Sequence, residues 1–181
     1  MKKIIILVLT ILMFFFKNSV LANYDKTFFD LQIESINGEI IDFKDYQNKV
    51  ILVVNTASYC GFTKQYTELQ ELWDKYNKKG LIVLAVPSNS FNQEKKDNSE
   101  VKEFCEVNFN ITFPLSAITE VKGNNAHKLY KWAKTNHGSP AVPKWNFHKI
   151  LINKEGKIED TFSSFTKPLS NKIINKIESI L

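Results

Sequence analysis

Arginine is absent: every one of the 24 basic residues in this chain of 181 is lysine. That removes the planar, bidentate guanidinium clamp that suits carboxylate and phosphate substrates. Cysteine is almost as scarce. Cys60 and Cys105 are the two present, too few to staple a small fold with a disulfide framework. His127, His137 and His148 stand at spacings that fit no metal-ligand pattern, and each reads as a solvated or core residue. Six glycines and five prolines are too scattered to make a linker, and no repeat or low-complexity segment is present, so one domain is expected. No apolar run reaches the ~20 residues that a membrane span needs.

The run that comes nearest, Ile4 to Phe16 with Thr10 inside it, has another reading. Lys2 and Lys3 precede it, and Lys17-Asn18-Ser19 leads into Val20-Leu21-Ala22, a small-residue cleavage pattern. Residues 1–22 are therefore expected to be a signal peptide, with a mature domain over 23–181 that is exported, periplasmic or secreted. A retained N-terminal anchor is the alternative, and the leader has no cysteine for lipid attachment. Losing Lys2, Lys3 and Lys17, with no acid among them, lowers the formal charge from +5 to +2. So small and dispersed a charge excludes a nucleic acid partner. The 44% hydrophobic content suits an ordinary globular core.

Along the mature chain, Phe28 to Ile33 and Glu39 to Phe43 read as strands of a hairpin about Asn37-Gly38. The β-branched runs Val50 to Asn55 and Leu81 to Val86 read as buried strands. Between them Tyr66, Leu69, Leu72, Trp73 and Tyr76 recur at helical spacing, predicting a helix over Thr63 to Lys79 that Gly80 closes. Pro87 to Asn98 reads as a polar, mobile loop. A helix over Ser99 to Asn108 would place Val101, Phe104 and Cys105 on one face. Phe113 to Ile118 and Ala126 to Thr135 read as strand and helix, Phe147 to Ile152 and Lys157 to Phe162 as a hairpin, and Leu169 to Leu181 as a terminal helix. Such an order predicts an α/β protein with a mixed sheet between helices.

Cys60 falls in the turn between a central strand and a helix N-terminus, in Asn55-Thr56-Ala57-Ser58-Tyr59-Cys60-Gly61-Phe62-Thr63. Backbone N–H groups and the helix dipole favour thiolate at such a place, and thiolate is the reactive species. A packed structural cysteine is the alternative. The arrangement suggests the thioredoxin fold, yet the residue three after Cys60 is Thr63, so there is no C-x-x-C redox pair. Lys64 stands where a copper-binding relative needs a cysteine, and Ala57 where a peroxiredoxin has a hydroxyl.

Three ordered motifs do agree with one family. Asn55-x-Ala57-Ser58-x-Cys60-Gly61-Phe62-Thr63 resembles the active-site motif of glutathione peroxidases. Pro87-Ser88-Asn89-Ser90-Phe91-Asn92-Gln93-Glu94 is similar to their second motif, and Lys144-Trp145-Asn146-Phe147-x-Lys149-Ile150-Leu151 to their third. Gly123-Asn124-Asn125-Ala126-His127 matches a further family segment. The resemblance implies a thioredoxin fold with an N-terminal β-hairpin. It also implies a catalytic tetrad of Cys60, Gln93, Trp145 and Asn146, in which neutral N–H donors assist a thiolate attacking a peroxide.

The implied activity is reduction of hydrogen peroxide and organic or lipid hydroperoxides, with glutathione or a thioredoxin-like protein as reductant and no metal or nucleotide cofactor. Cys105 lies where thioredoxin-dependent members keep a resolving cysteine, and a packed thiol is the alternative. The Gln93 loop lacks the family's Gly-Gly and Pro-Gly and is about a residue short. Ser88 replaces a cysteine of some members. The stretch from Pro114 to Trp145 lacks the oligomerisation loop, which implies a monomer. A non-turnover redox sensor and a thiol–disulfide oxidoreductase of the same fold are the other readings of these residues.

Overall fold

A computed structural model describes residues 25–181, and the expected leader lies outside them. Gln32–Glu34 (β1) and Ile40–Asp42 (β2) form an antiparallel hairpin, with Gly38 at φ 88° in the turn. The first strand is shorter than the sequence predicts, because Phe28–Asp30 coils into a 3₁₀ turn. Asp30 draws it closed by accepting the Thr27 N–H at 2.8 Å and the Thr27 hydroxyl at 2.9 Å. That turn carries Phe28 into the core, stacked on Phe43 with ring centres 4.2 Å apart.

Val50–Thr56 (β3) runs parallel to Leu81–Pro87 (β4), with Gln65–Tyr76 (α1) and a 3₁₀ turn, Asn77–Lys79, between them. Gly80 at φ 107° ends the crossover as expected. Asn98–Phe109 (α2) is capped by Asp97, whose carboxylate accepts the Glu100 N–H at 2.9 Å. Lys128–His137 (α3) follows, then Lys149–Ile152 (β5), Ile158–Phe162 (β6) and Asn171–Glu178 (α4). The sheet order is β4-β3-β5-β6, with β5 antiparallel to both neighbours. This mixed sheet between helices is the thioredoxin fold. The strand expected over Phe113 to Ile118 reduces to single bridges, Leu115 to Ala85 and Ser116 to Ser35, because Pro114 interrupts the ladder.

Strand alternation builds a core on each side of the sheet. Val50, Leu52 and Val54 face α1, α2 and α4, whereas Ile51 and Val53 face α3 and the hairpin segment. Neither face of β3 is wet, which is why its sequence is a continuous apolar run. The segment after β4 is also packed rather than loosely polar, since Ser88, Phe91 and Glu94 are all buried. Asn92 takes φ 56° there, a backbone state that asparagine tolerates without a glycine.

Lys149 interrupts this apolar economy. Fully buried in β5, its Nζ donates to Gln65 Oε1 at 2.5 Å and to the Thr166 carbonyl at 2.7 Å. Gln65 Nε2 in turn donates to the Ser164 carbonyl at 2.7 Å. One lysine thus fastens the 163–167 loop to the first turn of α1. Burial pushes its ammonium down to about 7, with the Glu68 carboxylate acting the other way.

Between about pH 7 and 10.5 the folded chain therefore binds less proton at this site than the unfolded chain does. The penalty of Lys149 is complete below that window and is relieved as pH rises through it. We predict that the unfolding free energy of the parent, minus that of Lys149→Met, rises with pH across this range by at most ~1.4 kcal/mol per pH unit. Urea titrations at several pH values measure it, and a flat difference contradicts the assignment.

Candidate active site

Cys60 occupies a turn held by its own neighbours. The Thr63 hydroxyl accepts the Cys60 N–H at 3.2 Å and lies 2.6 Å from the Cys60 carbonyl and 2.9 Å from that of Ala57. The Thr63 N–H closes the turn onto the Cys60 carbonyl at 3.0 Å. α1 starts at Gln65, two residues later than the sequence suggests, so Cys60 precedes the helix by more than one turn. The Phe62 N–H, 3.5 Å from Cys60 Sγ, is the backbone donor aimed at the sulfur. Cys60 is 7% exposed and Cys105 is fully buried; both are free thiols.

Trp145 and Asn146 sit just before β5 and are positioned by Asn55 at the end of β3. Asn55 Nδ2 donates to the Trp145 carbonyl at 3.1 Å, and its Oδ1 accepts the His148 N–H at 3.1 Å. Its backbone accepts the Phe147 N–H at 2.6 Å and donates to the His148 carbonyl at 3.3 Å. Between these anchors Phe147 adopts φ 62°, a costly state for an aromatic residue. Its buried ring, 5.4 Å from that of Tyr66 in an edge-on contact, holds it there. Asn146 is fully buried, whereas Trp145 is 43% exposed and rests on the Phe91 ring at 5.3 Å.

Gln93 joins these two segments. Its Oε1 accepts Asn146 Nδ2 at 2.9 Å, and its carbonyl accepts the Tyr59 N–H at 2.9 Å. Two of the four predicted site residues therefore bond directly, and a third is tied through the neighbour of Cys60. Trp145 enters through its chain position beside Asn146. His148, buried behind it, is pushed down to about 4 by desolvation and by Lys149 and Lys144, so it is a neutral imidazole. Val142, Lys144, Trp145, His148, Ser164 and Phe165 line an adjoining cleft of about 350 Å³. The exposed Phe165 ring meets Phe62 edge-on at 5.2 Å, which brings this cleft to the Cys60 turn.

Cys105 lies inside an unbroken α2. Burial pushes its thiol up to about 11, and the Glu94 and Glu106 carboxylates add to the shift while Tyr66 opposes it. At neutral pH it is a protonated, packed thiol. Glu94 and Lys149 also belong to the site region; the sequence places them within the second and third motifs but gives neither a role of its own. The signal for both was position: Glu94 follows Gln93 directly, and Lys149 interrupts an apolar strand. No group of residues suited to holding a metal ion occurs among the described residues.

The family model for glutathione peroxidase matches residues 28–134. "Glutathione peroxidase-like peroxiredoxin 2" of Saccharomyces cerevisiae is 41% identical, covering 86% of this chain and 97% of that protein. "Hydroperoxy fatty acid reductase gpx1" of Synechocystis is 37% identical over 88% and 99%. Among solved structures, Trgpx in its apo form has a TM-score of 0.69 at 34% identity, over 86% of this chain and 95% of that one. With the family model spanning more than half the chain and relatives near 40% identity matched almost end to end, this chain belongs to the glutathione peroxidase family.

Proposed function

We propose that this thiol-dependent peroxidase works through Cys60, with Gln93, Trp145 and Asn146 as its hydrogen-bond donors. The Cys60 thiolate attacks the terminal peroxide oxygen and the O–O bond breaks. The sulfur becomes sulfenic acid, and the departing oxygen takes up a proton to leave as water or alcohol. The observation that carries the assignment is the Asn146–Gln93 bond, joined to the Cys60 turn through Tyr59. With its oxygen taken by Asn146, Gln93 has its NH₂ to offer to the reacting oxygens. Amide and indole N–H groups do not titrate near neutral pH, so they assist without exchanging protons. The substrates are hydrogen peroxide and organic or lipid hydroperoxides. Electrons return from a thiol reductant, glutathione or a thioredoxin-like protein, to a monomer that needs no metal or nucleotide.

Cys60→Ser should abolish peroxide consumption while the fold survives. Asn146→Ala and Gln93→Ala should each lower the rate by about 10² to 10³, equivalent to ~2–4 kcal/mol of barrier, with Gln93 the milder of the two. Steady-state turnover measures both, and retention of near-parental rates demotes the residue concerned. A single oxidation without turnover would make the protein a redox sensor instead.

Cys105 is read as the resolving cysteine, supported by its being the second thiol of the chain and by its place in α2. To bond, the two Cα atoms must come within roughly 7 Å, and if they rest further apart in the reduced form α2 must partly unwind after Cys60 is oxidised. Peroxide should then produce an intramolecular Cys60–Cys105 disulfide, seen as a two-dalton mass loss and a linked peptide pair. Sulfinic acid at Cys60, or turnover that survives Cys105→Ser, supports a one-cysteine cycle.

The basic, apolar and small-residue order of residues 1–22 supports export, with cleavage after Ala22. Protein from its native host should begin at Asn23 by intact mass. A full-length cytosolic species overturns this.

A further inference from the structure

Glu94 is a carboxylic acid only 7% exposed, in a chain whose other acids lie at the surface or half-buried. Desolvation of a carboxylate costs several kcal/mol, which hydrogen bonds and the nearby Lys95 charge must offset. Its Oε1 accepts the Ser58 N–H at 3.0 Å and the Lys95 N–H at 2.9 Å. Its own N–H is held by Asn89 Oδ1 at 3.2 Å. One residue along, the Tyr59 N–H donates to the Gln93 carbonyl at 2.9 Å. Residues 58–59 and 93–94 are thereby zipped together by two adjacent bonds. One strand of that zip leads into Cys60, and the other carries the Gln93 amide.

The remaining polar atoms show that this is a specific arrangement. Glu94 Oε2 and Ser58 Oγ are both buried, and the Ser58 side chain acts on the carboxylate, as Glu94 and Cys105 act on the buried Tyr66 hydroxyl. Burial raises the Glu94 carboxyl, and the Ser58 and Lys95 donors lower it again. An alanine-sized residue would leave the Ser58 N–H without its acceptor.

We propose that Glu94 is a positioning residue of the peroxidase reaction. By latching Ser58, it sets the distance between the Gln93 amide and the Cys60 sulfur. This rests on the role of Gln93 given above. It assigns Glu94 no contact with substrate and no proton to transfer. Displacing a catalytic donor by an ångström is enough to cost a large factor in rate.

Three substitutions separate reach from charge. Glu94→Gln keeps the length and an acceptor oxygen without the charge. Glu94→Asp keeps the charge but is one methylene too short to reach Ser58, and Glu94→Ala loses both. The readout is the single-turnover rate of Cys60 oxidation by hydrogen peroxide, beside the rate of Cys60 alkylation by iodoacetamide, which needs no donor for a departing oxygen. The latch requires about tenfold slower oxidation in Glu94→Asp and Glu94→Ala and no more than about threefold in Glu94→Gln, with alkylation changed less than twofold. In a Gln93→Ala background Glu94→Asp should add less than twofold, because coupled residues do not add. The proposal is overturned if Glu94→Asp outpaces Glu94→Gln, if oxidation and alkylation fall together, or if the losses add fully in the Gln93→Ala background. Near-parental oxidation by Gln93→Ala alone refutes the role of Gln93 instead. Should Glu94→Ala fail to fold, the order of the Gln and Asp variants still decides.

Discussion

Asn55 is the residue on which the site's geometry rests. One residue before the end of β3, it makes four hydrogen bonds to residues 145–148, two through its side chain and two through its backbone. β3 is the central parallel strand, and the turn carrying Cys60 leaves directly from it. The same residue therefore fixes where the turn carrying Cys60 begins and where the Trp145–Asn146 pair must lie. A buried amide with both ends satisfied rigidifies what it touches, and here it touches segments some 90 residues apart in sequence. The positive φ of Phe147 follows from that seam, since the chain must reverse within two residues to meet Asn55 on both sides.

Two buried ionisable groups flank this seam and do opposite work. Glu94 gathers backbone donors from the Cys60 turn and its own loop, whereas Lys149 gathers acceptors from α1 and from the loop after β6. Each ties irregular backbone to regular structure, where apolar packing alone would leave N–H and C=O groups unpaired. A Lys149 Nζ with two oxygen partners and a Glu94 Oε1 with two N–H partners are costly to bury and define distances that methylenes cannot. The turn carrying Cys60 is thus held in place by buried hydrogen bonds from both sides.

How much of this was legible in the sequence depended on whether a residue's type matched its surroundings. β3 and β4 were readable because both faces are buried, and so was the Asn37-Gly38 hairpin. Phe28–Asp30 misled because an apolar pair reads as strand, while the turn depends on the Asp30 contact with Thr27. The Phe113–Ile118 segment misled because β-like composition says nothing of whether a ladder partner exists. Cys60, Gln93, Trp145 and Asn146 were named from motifs, but the bond between Gln93 and Asn146 required the fold. Glu94 and Lys149 stood within those motifs, but their buried roles went unread because charge normally marks surface and only tertiary contacts reveal the exception.

The outer strand of the sheet bears on how copies of this protein meet one another. β6 is an edge, and a bare edge invites a second sheet to continue its ladder. Its middle residues are Glu159, Asp160 and Thr161, and Glu159 is engaged by Lys176 of α4 at 2.5 Å. A neighbouring strand would have to displace that lysine and set its backbone beside two carboxylates. At the opposite edge β4 is already met by Leu115 through its bridge to Ala85. Lateral growth of the sheet from molecule to molecule would thus meet charge along β6 and an occupied position at Ala85 of β4.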